Sequence, residues 1–146
     1  MSKGLLFILL SILISNNDVR TINYNGKDVR TTFSANEKFY GTYTGRKKGY
    51  LKLNKDGSGE YLYDVFGFAP ASCAPKSISL EWGFLVDETD KIVSFKREYG
   101  KSYPILLKST GDTQFQGCRK KVVLDFILEY KDGTLGVSSS DDWKKN

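Results

Sequence analysis

Gly49-Tyr50-Leu51-Lys52-Leu53-Asn54-Lys55-Asp56-Gly57-Ser58-Gly59-Glu60-Tyr61-Leu62-Tyr63-Asp64-Val65-Phe66 reads as two strands joined by a turn. Polar and apolar residues alternate through 50–54 and again through 60–65, so each arm sends every second side chain to one face. Between the arms, Asp56-Gly57 tolerates the positive φ that a tight hairpin turn requires. Leu51 and Leu53 are therefore expected on one inward face with Tyr61, Tyr63 and Val65.

The rest of the chain repeats this pattern. Strands are expected at 39–44, 49–54, 58–66, 78–86, 91–98, 103–109, 113–118, 121–130 and 134–138, linked mostly by short turns carrying Gly or Asp. Short links impose sequential antiparallel pairing, hence a meander. Ile78, Leu80, Trp82, Phe84 and Val86 share one face, opposite Ser79, Glu81 and Gly83; Val122, Leu124, Phe126, Leu128 and Tyr130 do the same on a later strand. One-sided alternation suits either a closed barrel or a two-layer sandwich, and closure removes the exposed edges that so long a meander would carry. The expected fold is all-β: an antiparallel up-and-down meander closed into a barrel of about eight strands.

Four regions are expected. Residues 1–15 combine Lys3 with an apolar run from Leu5 to Ile14, interrupted only by Ser11, and polar residues follow at once. That run is short for a membrane-spanning helix and suits a secretory signal peptide, which makes the mature chain secreted or periplasmic, with no stable membrane span. Residues 16–38 form a leader with room for a hairpin around Asn25-Gly26 and a capped helical turn at Ser34-Ala35-Asn36-Glu37. The barrel occupies 39–138, and 139–146 is a polar tail.

Composition narrows the chemistry. The chain has 146 residues, one domain's worth, of which 40% are hydrophobic and 14% aromatic. It contains no His, which excludes an imidazole base and His-bearing zinc sites, and its two cysteines exclude a four-thiolate site. Glu60 and Asp64, and Asp125 and Glu129, fall on outward faces, so no carboxylate pair with perturbed acidity is visible. The chain is read as a non-enzyme without a cofactor or metal. Its net charge of +5 permits attraction to anionic partners and by itself indicates only solubility. Nucleic acid is not expected, because the basic residues gather at strand ends rather than along a strand face, and the chain is read as exported.

Gly41-Thr42-Tyr43, a Gly-x-aromatic opening the first barrel strand after a short helical turn and followed by a meander, resembles the lipocalin-like (calycin) β-barrels, including the small exported ones of bacteria. Tyr43 stands where that family usually has Trp, and no Arg follows Arg119 to pack on it. The resemblance implies one open mouth, at the end that also carries the loop 67–77.

Up-and-down parity places the links 45–48, 67–77, 99–102 and 118–120 at that end, and 55–57, 87–90, 110–112 and 131–133 at the other. Cys73 and Cys118 then share an end, and in an exported protein two such cysteines are expected to form a disulfide, worth about 4 kcal/mol. Lys47, Lys48, Lys101 and Lys120 supply a basic rim there, with Arg97 close by on the parity of Val93 and Phe95. An inward Arg97 would pair with an anionic headgroup through its planar fork; otherwise its stem covers apolar surface while its head reaches water. Tyr61, Tyr63 and Trp82, with Tyr43, either line a cavity as polar handles or fill a small barrel. The leading expectation is a non-catalytic binding protein for a small amphipathic anion at the basic mouth. The alternative is a protein-binding or inhibitor module acting on an acidic protein or surface through the disulfide-held loop 67–77.

Overall fold

The structure, a computed structural model, describes residues 18–45, 49–62, 77–98, 100–110, 125–136 and 143–146. Among these, the chain forms β1 (Val19–Tyr24), β2 (Lys27–Thr32), a single 3-10 turn (Glu37–Phe39), β3 (Gly41–Gly45), β4 (Tyr50–Leu53), β5 (Ser58–Leu62) and β6 (Ser77–Leu85). Then follow β7 (Phe95–Arg97), β8 (Gly100–Ser109), β9 (Asp125–Lys131), β10 (Thr134–Gly136) and β11 (Trp143–Lys145). Eight of them close a ring in the order β3-β4-β5-β6-β8-β9-β10-β11, with β11 returning to β3 and every pairing antiparallel. The fold is an all-β, closed, antiparallel barrel with meander order.

The barrel departs from the alternation in two places. Residues 91–98 read as a barrel strand, yet β6 pairs directly with β8, from Leu80↔Ser109 to Phe84↔Ile105. The intervening chain is pushed to the barrel's end. Val86 bridges Ile92, and β7 pairs only with the start of β8. The eighth barrel strand comes instead from the tail: β11 lies between β10 and β3, joining Trp143 to Gly45 and Lys145 to Tyr43.

The quoted hairpin folds through a three-residue loop. Gly57 takes the left-handed φ of 79° and its amide donates to Asn54 O, while the Asp56 carboxylate accepts from the Ser58 amide and hydroxyl. Its inward residues Leu51, Leu53 and Tyr61 join Ile78, Leu80, Trp82, Phe84, Ile105, Leu107, Leu128, Tyr130 and Leu135 in one buried core. Trp82 is fully enclosed, and its indole N–H donates to Asn54 O at 3.1 Å and Ser58 O at 2.9 Å. Phe39, on the 3-10 turn capped by Asn36, stops one end of the barrel: its ring meets Phe84 and Tyr130 edge-on at 4.8 and 4.5 Å.

The β1–β2 hairpin lies outside the barrel. Its turn residues Asn25 and Gly26 have φ of 51° and 78°, the paired left-handed conformation of a two-residue hairpin. β2 extends along the last residues of β6 where β5 has ended, through Thr31↔Leu85 and Thr32↔Phe84. A Cβ on Gly83 would stand 2.6 Å from Thr31 Cβ, so only glycine lets the hairpin approach this closely. Arg20 fastens it: Nη2 donates to Gly57 O at 2.7 Å and Trp82 O at 2.8 Å, and the guanidinium lies over the Phe33 ring.

The registers also correct the polarity. Because β7 does not cross the barrel, β8 starts at the Phe39 end and finishes beside the start of β6, where Thr110 donates its amide to Ser79 O. Gly100 and Lys101 therefore stand at the stoppered end with the turns 54–57, 87–90 and 131–133, and Thr110 stands at the other end. The strand termini Gly45, Leu62, Ser77, Asp125, Gly136 and Trp143 share that second end.

Candidate functional site

Trp82 and Tyr43, two of the interior side chains offered as polar handles, are fully buried and spent within the fold. The Tyr43 hydroxyl donates to Phe39 O at 2.7 Å, and burial pushes its phenol well above the usual tyrosine range, with the neighbouring Tyr130 adding to the shift. The Tyr130 hydroxyl accepts the Gly133 amide at 3.0 Å. Tyr61 is buried at the second end, its ring edge-on to Trp143 at 5.4 Å. Among the described residues, Leu51, Leu53, Ile78, Leu80, Phe84, Ile105, Leu107, Leu128 and Leu135 complete this buried core. Tyr63, Lys47, Lys48, Lys120 and the pair Cys73 and Cys118 lie outside the described residues.

Arg97 stands elsewhere than parity suggests. Residues 93 and 94 are not in a strand, so the alternation carried from Val93 is broken, and Phe95, Lys96 and Arg97 are all exposed. The Arg97 guanidinium pairs with Glu129 on the outer face of β9 and lies 5.3 Å from the Phe95 ring centroid. Ile127 follows two residues earlier on that face. Phe95, 44% exposed, and Ile127, 36% exposed, are the exposed large hydrophobics among the described residues. They flank the ion pair in a strip of aromatic ring, guanidinium, carboxylate and aliphatic chain.

Beside this strip, Lys96 and Lys101 face each other directly across the β7–β8 ladder, both exposed. Like charges opposite one another weaken a strand pair, and no carboxylate among the described residues lies in ion-pair range of either. The hairpin thus presents two uncompensated cations next to an ordered Arg–Phe pair. Exposed aromatic and Arg side chains held in place by neighbours are the residue types that anchor protein interfaces. Sequence reading found Arg97 but not the strip, because Glu129 and Ile127 are distant in the chain and meet it only through the β8–β9 register.

Among the described residues there is no grouping of His, Cys, Asp and Glu suited to a metal, and no helix long and apolar enough to cross a membrane. Comparison with protein-family models, curated proteins and solved structures gave no match to this chain.

Proposed function

We propose that the chain is an exported, non-catalytic, lipocalin-like barrel that binds another protein through its outer surface. The observation that carries this reading is the packing of the interior among the described residues. Trp82, Tyr43, Phe84 and the aliphatic residues around them occupy the space a carried ligand would need, and their polar atoms are already bonded. A carrier of small amphipathic anions needs a hollow barrel, so the basic character of the chain suits an acidic protein face better. The Phe95–Arg97–Glu129–Ile127 strip with Lys96 and Lys101 supplies one contact surface. The sequence offers a second candidate in the loop 67–77, with a Cys73–Cys118 disulfide and the basic residues 46–48 as its expected companions.

Photo-crosslinking from position 95 in the secreted protein tests this. A discrete protein adduct that disappears in Arg97→Ala/Lys101→Glu is expected. Saturable, one-site displacement of a fluorescent fatty acid by the wild-type barrel would overturn it.

A further inference from the structure

On the opposite flank of β6 from β8, β2 parts from the barrel and leaves an open groove of about 720 Å³. This lies within the ligand-sized range of about 300–1,000 Å³. Val29, Val86 and Val93 contribute its apolar lining, and Asp28, Asp87 and Glu88 its carboxylates. Arg30 also borders it, but that guanidinium is occupied: it pairs with Asp90 and donates to Asp87 O at 3.1 Å. No Lys or Arg nitrogen among the described residues lies in ion-pair range of Asp28, Asp87 or Glu88. Hydrogen bonds from Thr89 and from the Lys91 amide hold the Asp87 carboxyl below its ordinary range, so it stays ionised in the groove wall.

The groove also offers backbone. In a two-residue hairpin the residues flanking the turn, here Tyr24 and Lys27, bond to each other, and the bonding direction alternates from there. Residues 28, 30 and 32 therefore turn their N–H and C=O away from β1. Arg30 O accepts the Val86 amide at 3.2 Å and Thr32 pairs with Phe84, while Asp28 has no strand beside it on that side. An unpaired strand edge next to an apolar floor is the setting in which an extended segment adds to a sheet.

We propose that this groove binds an extended protein segment in which aliphatic residues alternate with Lys or Arg. The aliphatic side chains lie on Val29, Val86 and Val93, the cations meet Asp28 and Glu88, and the segment's backbone pairs with Asp28. This site is separate from the strip around Arg97, and its charge is of opposite sign.

Fluorescence anisotropy with a labelled, end-capped five-residue peptide of alternating lysine and valine tests the proposal on the full chain. Saturable binding is expected, with no binding of the matching glutamate–valine peptide. Asp28→Lys/Glu88→Lys should weaken it by about tenfold or more. Glu37→Lys/Asp125→Lys changes net charge equally, away from the groove, and should hold affinity within about twofold. Slowed exchange of the Asp28 amide on binding, read by NMR in the wild-type protein, checks the backbone contact without any variant. No saturation up to about 1 mM peptide, or equal weakening by the two double variants, would overturn the proposal.

Discussion

Trp82 holds the hairpin turn from inside the barrel as much as it fills the core. Its indole N–H reaches the carbonyls of Asn54 and Ser58, on either side of the Lys55–Gly57 loop. Trp82→Phe removes that donor and leaves a void, and should cost about 2–4 kcal/mol. Urea unfolding is expected to show a lower midpoint with an unchanged slope. Tyr43 makes a prediction about pH. Its phenol is held neutral by burial in the folded state, whereas in the unfolded chain it ionises near pH 10. Above that value the unfolded state releases a proton that the folded state keeps, so stability is complete below about pH 10 and falls as pH rises beyond it. Tyr43→Phe should flatten this alkaline decline in the urea midpoint; an unchanged slope would place the effect on another tyrosine.

At the scale of elements, the β1–β2 hairpin is the piece attached from outside. Arg20 and the absence of a side chain at Gly83 hold it there. Arg20→Ala should raise hydrogen exchange in residues 19–32 by about tenfold or more, for a local loss of about 1–3 kcal/mol, and leave the amides of β8 and β9 protected. Gly83→Ala should act the same way through collision with Thr31. The barrel strands with strict alternation, 50–54 and 78–84, were legible because one face meets the core along their whole length. The stretch 91–98 alternates too, yet two irregular residues, 93 and 94, shift its phase, and β6 finds longer pairing with β8. Trp143-Lys144-Lys145 carries too few apolar residues to register as a strand, and its place is set by Gly45 and Tyr61, distant residues near the start of the barrel. The Arg97 site was half legible for the same reason: one residue stood out, but its partners come from another strand.

For the whole molecule, closure rests on three residues at the end of the chain. β11 bonds to both β10 and β3, and Asn146 donates its amide to Thr42 O. Removing residues 143–146 exposes the facing edges of β3 and β10 and uncovers Tyr61. Such edges template pairing between chains, so the truncated protein should lose its cooperative thermal transition and form oligomers, as read by calorimetry and size-exclusion chromatography. A truncated chain that stays monomeric and melts sharply would show that the other strands close without β11.

The position of β11 also fixes an order of events in the cell. A ribosome extends the chain from the amino end, so β3 emerges early and waits through the synthesis of nearly every other strand for its neighbour on one side. The barrel cannot close until β11 has been made, and long-range pairings of this kind are slow to form. Until then β3 lacks the partner that β11 supplies on that side. A chain cut short before Trp143 would therefore be a sheet that cannot shut.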